Sequence, residues 1–174
     1  MEAIFLREAS YWIERLHMVP HPEGGYFVEN FSSKEKMETF DGRLRKTYSS
    51  IYFLLEPSSP SHFHRLKSDE VWYYHAGDPL TVHIIHLDGV YEAIEIGPDL
   101  DAGQKLSTVV PAGAIFGSSV YANYALVSCV VSPGFEYEDF ELFTQAELLA
   151  DYPQHEQIIR QLAYENMPKE SEND

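Results

Sequence analysis

The pattern of apolar and polar residues along the chain changes period twice, from helical to alternating and back to helical. In residues 3–18, apolar side chains recur at spacings of three and four, which places them on one face of an amphipathic helix. Short segments rich in β-branched and aromatic residues follow, and Gly, Pro and Asn turns separate them. Many short strands at regular turn spacing predict an antiparallel sandwich or barrel and not a parallel sheet.

The C-terminal part of the chain returns to the helical period. Thr144 and Glu147 fit a capping box, in which side chains and backbone N–H groups at a helix start satisfy each other. Pro153 ends this helix and is suited to the first turn of a second one. We expect both helices to cover the barrel. Residues 1–165 then form a single domain, and the acidic tail 166–174 is expected to be disordered.

Composition supports one domain and argues against several classes of partner. The chain has 174 residues, of which 44% are hydrophobic, so it is long enough to bury a substantial core. Its formal net charge of −16 argues against nucleic acid, because a phosphate backbone needs clustered Lys and Arg. No window approaches the ~20 apolar residues of a membrane span. The chain is therefore predicted to bind neither nucleic acid nor a membrane. Because Cys129 is its one cysteine and cannot form an internal disulfide, the chain is also predicted to be cytoplasmic.

The polar residues with the most chemical information lie between Ser61 and Gly77. His62 and His64 are two residues apart, so their side chains share a face if the segment is an extended strand. Glu70 follows after a short turn and would bring a carboxylate beside both imidazoles. Two imidazole nitrogens and a carboxylate are common ligands of a divalent transition metal. The same residues are as consistent with two hydrogen-bonded strand histidines and a solvated acid.

This segment also resembles the first motif of the cupin superfamily, whose motifs lie on the strands of a small jelly-roll barrel. The residues that match the first motif are His62, His64, Glu70 and Gly77, and those that resemble the second are Gly103 and residues 111–113. The gap between His64 and Glu70 is slightly longer than in most cupins. Phe116 stands where the second motif usually supplies a further histidine ligand. The resemblance implies an all-β fold, a double-stranded β-helix or jelly-roll barrel, with flanking N- and C-terminal helices.

Six sequence blocks, in this order, resemble a particular branch of cupins that is catalogued as a domain of unknown function. The blocks are HPEGGY at 21–26, SIYFLL at 50–55, HFHR at 62–65, SDEVW at 68–72, VPAG at 110–113 and SPGF at 132–135. This branch is compared with the dTDP-sugar 3,5-epimerases. The resemblance therefore implies a small-molecule site inside the barrel, similar to that of a sugar-nucleotide epimerase.

Strand alternation adds further residues to this candidate site. In steps of two from Glu70, Trp72 and Tyr74 share its face, and an aromatic-walled cavity with a few polar groups is typical of a small-molecule site. The same rings would also fill a small barrel without a ligand. The predicted catalytic residues are His62, His64, Glu70 and Tyr74. The predicted ligand-binding residues are Ser49, Arg65, Trp72 and Phe116, of which the arginine is suited to pairing with a phosphate.

Three functions remain open from these residues. The first is an epimerase- or isomerase-like enzyme, in which a histidine oriented by a carboxylate acts as general base and a tyrosine as acid next to a carbonyl, without a metal. The second is a metal-dependent cupin enzyme in which His62, His64 and Glu70 hold a weakly bound divalent metal. The third is a non-catalytic module that captures a small ligand. The cofactor is accordingly expected to be none or a weakly held metal, and the ligand a small molecule such as a sugar nucleotide.

We also expect a homodimer. Closed two-fold dimers are the commonest assembly, and edge strands of a barrel invite pairing.

Overall fold

The computed structural model describes residues 7–169 and consists mainly of antiparallel strands. Three helices flank them, namely α1 (Ala9–Leu16), α2 (Gln145–Asp151) and α3 (Glu156–Leu162). The first residues of the predicted N-terminal helix, 3–6, and the end of the predicted tail, 170–174, lie outside the described residues. Within 7–169, no helix is both long enough and apolar enough to span a bilayer.

The strands form two large sheets and one hairpin. In chain order they are β1 (Val19–Pro20), β2 (Tyr26–Ser32), β3 (Lys36–Glu38), β4 (Leu44–Lys46), β5 (Ser49–Leu55), β6 (Ser61–Arg65), β7 (Asp69–Gly77), β8 (Leu80–Ile85), β9 (Tyr91–Ile96), β10 (Ser107–Val110), β11 (Ile115–Val120), β12 (Ala125–Ser132) and β13 (Glu141–Leu142). The six-stranded sheet has the order β1-β2-β5-β12-β7-β10, and the five-stranded sheet has the order β13-β6-β11-β8-β9. Strands β3 and β4 pair with each other. This is the jelly-roll barrel that the cupin-like motifs imply.

The core lies between the two sheets and follows the alternation of the strands. Every second residue of β5, β8 and β12 points inward and joins one buried cluster. From these three strands the cluster includes Phe53, Leu55, Val82, Ile84, Val127, Cys129 and Val131. Apolar residues at every second position of the strands give each sheet one apolar face. Burial of these two faces against each other holds the barrel together.

The helices cover the outer faces of the sheets, as predicted. Trp12 of α1 packs beside Leu54 and Leu126 on the six-stranded sheet, and its indole N–H donates to the hydroxyl of Tyr124 at 2.9 Å. Helices α2 and α3 pack on the five-stranded sheet through a second apolar cluster that includes Phe63. The predicted capping box at Thr144 is present, so α2 begins where the sequence indicates.

A bulge interrupts the pairing of β6 with β11, and it determines which β6 residues face the barrel interior. His64 pairs with Phe116 and Ser61 pairs with Ser118, so two β6 residues lie opposite the single residue Gly117. A Cβ at Gly117 would lie 2.7 Å from the Ser61 carbonyl oxygen, so the strands approach closely there. As a result, Ser61 and His64 both point inward although they are three residues apart.

Candidate functional site

The barrel encloses a cavity of about 180 Å³ near one end of the six-stranded sheet. Strands β2, β5, β6, β7 and β12 contribute to its wall, together with the turn 21–25 and the segment 133–140. Five of the lining residues carry an imidazole or a carboxyl group: His21, Glu23, Glu29, His64 and Glu70. Aromatic rings of β2, β5 and the segment 133–140 supply much of the remaining wall. The wall of the cavity is therefore mainly apolar, and most of its polar groups can gain or lose a proton.

The turn 21–25 carries Glu23 into the barrel. Gly24 has a φ of +114°, and a Cβ there would lie 1.9 Å from the carbonyl oxygen of Pro60, so only glycine fits. The backbone carbonyl of Glu23 accepts a hydrogen bond from the backbone N–H of His62 at 2.7 Å. These contacts hold the turn against β6 and leave the Glu23 side chain only 8% exposed.

Glu23 and His64 face each other with one proton to share. His64 Nδ1 lies 2.7 Å from the carbonyl oxygen of His62, which only accepts, so Nδ1 carries the hydrogen. His64 Nε2 lies 3.2 Å from Glu23 Oε2. Burial lowers the pKa of His64 to about 3, whereas burial and the charge of Glu70 raise the pKa of Glu23 well above its usual value. A protonated Glu23 that donates to the bare Nε2 of a neutral His64 satisfies both groups.

Ser61 completes this pair from the other side. Its hydroxyl is fully buried and donates to Glu23 Oε1 at 2.8 Å, so both carboxyl oxygens of Glu23 have partners. Ser61 reaches Glu23 because the bulge in β6 turns it inward. The proton-sharing pair is therefore fixed by the backbone at both ends, which favours a single geometry.

Glu70 is the polar group of the cavity that lacks a full set of partners. It is 7% exposed, and its Oε2 is buried with no hydrogen-bond partner among the residues that the structure describes. Burial raises the pKa of Glu70 to about 7. The thiol of Cys129, the neighbouring lining residue on β12, has a pKa raised well above its usual value by burial and by the charge of Glu70. Glu70 is thus poised to gain or lose a proton near neutral pH.

His21 lies inside a group of aromatic rings at the same cavity. Its ring centroid lies 4.8 Å from that of Phe27, 5.9 Å from that of Phe53 and 6.2 Å from that of Tyr137. Its Nδ1 accepts the backbone N–H of Glu23 at 3.2 Å. Burial lowers the pKa of His21 to about 4, so the ring is neutral at pH 7. His21 adds a polar atom to the cavity but no positive charge.

Three of the residues predicted from the sequence line the cavity together: Ser49, His64 and Glu70. Phe116 and Trp72 lie in the adjacent core, where Phe116 packs on His64 with ring centroids 4.1 Å apart. They support the cavity wall from behind and do not line it. Whether any of these residues is catalytic stays a prediction.

The expectation that His62 shares the cavity with His64 is wrong for the described structure. The bulge breaks the alternation on which the expectation rested, and the His62 ring stacks on Tyr164 with centroids 3.6 Å apart. Its Nδ1 lies 2.7 Å from the carbonyl oxygen of Glu23. His62 therefore holds the turn that carries Glu23, and its own carbonyl orients His64.

Tyr74 and Arg65 also lie away from the cavity. Tyr74 is four residues, about 13 Å, along its strand from Glu70, and its hydroxyl donates to the carbonyl of Gly77 at 2.6 Å. Arg65 points outward and pairs with Glu141 at 2.5 Å, because strand alternation places it on the face opposite to His64. Arg65, which was expected to pair with a phosphate of the ligand, therefore pairs with the carboxylate of Glu141 instead.

Glu23 and His21 are absent from the residues predicted above. Both belong to a turn that meets β6 only through long-range contacts, which local patterns do not reveal. The signal in the sequence was the adjacent pair Gly24 and Gly25 directly after His21-Pro22-Glu23, since paired glycines indicate a close backbone approach.

The residues present do not fit the metal that many cupins hold. His62 is turned away, Phe116 packs on the ring of His64, and both nitrogens of His64 face protein oxygens. Within residues 7–169, no group of three or more His, Cys, Asp or Glu side chains is arranged to hold an ion. The predicted triad of His62, His64 and Glu70 is therefore not assembled.

Two antiparallel sheets closed around a largely apolar cavity with a few acid–base groups define a protein of the cupin fold. The chain belongs to the family described as Cupin superfamily (DUF985), whose sequence pattern matches residues 10–143. The recognition made from the sequence blocks is confirmed.

The chain is similar to proteins from three different organisms. A hypothetical protein from Leishmania major has 51% identity and a TM-score of 0.88, covering 91% of this chain and 99% of its own. Protein SO0799 from Shewanella oneidensis has 43% identity and a TM-score of 0.86, and the match covers 92% of this chain and 99% of the Shewanella protein. The uncharacterized protein YML079W from Saccharomyces cerevisiae is 30% identical over 138 residues, which cover 70% of this chain and 68% of that protein.

Proposed function

We propose that the cavity is the active site of an epimerase- or isomerase-like enzyme that transfers protons next to the carbonyl group of a small molecule. The observation that carries the proposal is the combination of two acid–base units in one cavity. One is the Glu23–His64 pair, which holds a proton between Glu23 Oε2 and His64 Nε2 at 3.2 Å. The other is Glu70, whose pKa of about 7 suits a general base near neutral pH.

Each unit has a distinct role in this proposal. Glu70 removes the proton from the carbon next to the carbonyl, and the electron pair moves onto the carbonyl oxygen. The Glu23–His64 pair gives its proton to that oxygen, so the intermediate is a neutral enol. In an isomerisation, Glu70 then gives its proton to the former carbonyl carbon while the Glu23–His64 pair takes back a proton from the neighbouring hydroxyl, which becomes the new carbonyl. In an epimerisation, the pair takes back the enol proton, water protonates the carbon from the opposite face, and Glu70 returns its proton to the solvent. No metal takes part, since the residues do not fit one.

The size of the cavity limits the substrate. A volume of about 180 Å³ is below the roughly 300–1,000 Å³ of typical ligand pockets. The reacting molecule is thus small, on the scale of one sugar ring. If the ligand is a sugar nucleotide, its nucleotide lies outside the barrel mouth.

Deuterium exchange in D₂O tests the proposal without knowledge of the product. The protein is incubated with a panel of small aldoses, ketoses and sugar nucleotides, and deuterium incorporation at each carbon is followed by NMR. We expect exchange at a carbon next to a carbonyl for at least one compound. Glu70→Gln and His64→Gln should slow it by about 100-fold or more, the usual contribution of general acid–base catalysis.

The matched control is His86→Gln. This histidine is partly exposed on the barrel surface, where it pairs with Glu92 at 2.8 Å, so exchange should persist in the variant. Equal exchange rates in wild type and Glu70→Gln would contradict the proposal.

A non-catalytic binding module is the second candidate. It is favoured by the satisfied hydrogen bonds of Glu23 and His64, which also suit a rigid receptor. Binding of a compound in the cavity without any exchange, across the whole panel, would support it over the enzyme.

We also propose that the protein forms a homodimer, because edge strands of a barrel invite pairing. Its acidic composition supports the proposal that it binds no nucleic acid, and its single cysteine supports a place in the cytoplasm. We further propose that residues 1–165 form a single domain and that a tail follows it.

A further inference from the structure

The charge of the cavity is one-sided. Glu23, Glu29 and Glu70 contribute carboxyl groups to its wall, and no Lys or Arg side chain of the described residues lines it. Lys46 lies near the mouth, 3.9 Å from Glu29 Oε1, and is half exposed. An anionic ligand in the cavity would therefore meet carboxyl groups, and no cationic side chain on the wall itself would pair with it.

The arginines around the cavity are engaged elsewhere. Arg43 donates to Asp139 at 2.7 Å and to Glu138 at 2.9 Å. Arg45 pairs with Asp139 and donates to the carbonyl oxygen of Gly134. Bringing either cation to an anionic ligand would break one of the ion pairs of the buried Asp139, which costs free energy.

The aromatic wall adds a second feature that suits a cation. Phe27, Phe53, Phe135 and Tyr137 all line the cavity. The face of an aromatic ring carries partial negative charge and attracts a cation that lies within about 6 Å of its centre. A carboxylate beside several aromatic rings is the combination that binds ammonium groups.

Glu70 is the group that the ligand would complete. Glu70 is 7% exposed and lines the cavity, and its Oε2 is buried without a hydrogen bond of standard geometry among the described residues, although the thiol of Cys129 and the indole N–H of Trp72 approach the carboxyl group. A buried carboxylate oxygen without a donor costs free energy, which a ligand N–H would recover. An ammonium group provides both that hydrogen bond and the opposite charge.

We propose that the ligand of the cavity carries a protonated amino group, which donates a hydrogen bond to Glu70 Oε2 and lies against the aromatic wall. The inference rests on the proposed function for its site, and it narrows the substrate class to a small amino-carbonyl compound, of which an amino sugar is one example. Carboxylates and phosphates are excluded from the cavity itself.

Proton release follows from this binding mode. A cation beside Glu70 favours its ionised form, so binding near pH 7 drives the remaining Glu70 protons into solution. A neutral hydroxyl compound in the same place has no such effect. Proton release on binding is therefore a signature of the charge of the ligand and not of its shape.

Three probes of matched size test the inference: glucosamine, glucose and glucuronate, which differ in carrying a cation, no charge or an anion. Affinity is measured by calorimetry at pH 7 in two buffers of different ionisation enthalpy, which reveals released protons. We expect glucosamine to bind at least about tenfold more tightly than glucuronate, a ratio that corresponds to about 1.4 kcal/mol. We also expect it to release protons on binding.

Two variants make the result specific to Glu70. Glu70→Gln keeps the shape of the side chain and should abolish both the preference for the amine and the proton release. Glu156→Gln removes a carboxylate that pairs with Arg160 on the exposed face of α3, and it should bind as wild type does. Tighter binding of glucuronate, no binding of glucosamine at millimolar concentration, or an unchanged preference in Glu70→Gln would overturn the inference.

The outcome is separable from that of the proposed function. Amine binding without deuterium exchange leaves the inference standing and removes the enzyme. Deuterium exchange on a neutral or anionic compound, without binding of any amine, removes the inference and leaves the proposed enzyme standing.

Discussion

Burial sets the protonation of the cavity residues, and it acts in opposite directions on acids and imidazoles. A buried group favours its uncharged form, so the carboxyl groups of Glu23 and Glu70 keep their protons to higher pH. His21 and His64 lose theirs at lower pH for the same reason. At neutral pH the cavity therefore holds two neutral imidazoles beside a protonated Glu23 and a Glu70 near its titration midpoint, which is the opposite of an ordinary ion pair.

Glu70→Gln is predicted to change how stability depends on pH. Glu70 has a folded-state pKa of about 7 against an ordinary value of 4.5, so between these pH values the unfolded chain loses the proton first. Stability from this group is thus highest below pH 4.5 and falls as the pH rises to 7. At about 1.4 kcal/mol per pKa unit, the loss is at most about 3 kcal/mol.

The variant lacks this loss. The free energy of unfolding of Glu70→Gln minus that of wild type should therefore increase by up to about 3 kcal/mol between pH 4 and pH 8. Urea unfolding across this range measures the difference, and other groups cancel in it. A difference that stays constant with pH would show that Glu70 ionises as it does in the unfolded chain.

At the scale of elements, the capping box predicted the start of α2, and alternation within runs of β-branched and aromatic residues predicted most strands of the two large sheets but not the hairpin of β3 and β4. Alternation also placed His64 and Glu70 correctly on the cavity side. It failed at His62, because a bulge is a property of two strands and is not visible in one of them. Glu23 was missed for a related reason, since its turn is fixed by contacts with β6.

The segment 133–140 forms part of the cavity wall and is anchored by one buried acid, Asp139. The side chain of Asp139 is 5% exposed and pairs with Arg43 and with the buried Arg45, while Lys67 Nζ lies 3.4 Å away. The anchor holds Tyr137 at the mouth. The geometry of the cavity therefore depends on an ion pair that takes no part in the proposed chemistry.

Asp139→Asn is predicted to destabilise the protein by about 3 kcal/mol, because it leaves the buried Arg45 with only the half-exposed carboxylate of Glu136, 3.9 Å away, as an opposite charge. Chemical denaturation measures the change. Glu138→Gln is the matched control, since its side chain is 74% exposed and its pair with Arg43 should contribute less than about 1 kcal/mol. Equal effects of the two substitutions would contradict the role of Asp139 as the anchor.

At the scale of the whole molecule, the surface of the barrel carries exposed apolar side chains that a dimer would cover. Several lie in the segment from the end of β2 to the start of β5. They are Phe31, Met37, Phe40, Leu44 and Tyr48. An acidic protein with such a segment has charge to keep it in solution and apolar area to support one specific contact.

Sedimentation equilibrium at micromolar concentration is predicted to give a dimer. Because the segment includes Phe31 and Leu44, 65% and 66% exposed, the double substitution Phe31→Asp and Leu44→Asp should shift the protein to monomer if this face forms the contact. A wild-type monomer throughout the concentration range would reject the dimer.

The account depends most on the proton shared by Glu23 and His64, and nitrogen-15 NMR of the histidine rings observes it without any ligand. We predict that His64, assigned by its loss in His64→Gln, is neutral from pH 5 to pH 8 because burial lowers its pKa to about 3. Its hydrogen should reside on Nδ1, and its Nε2 should show the shift of a hydrogen-bond acceptor. A titration midpoint near 6.5, or a hydrogen on Nε2 of the neutral ring, would contradict the account.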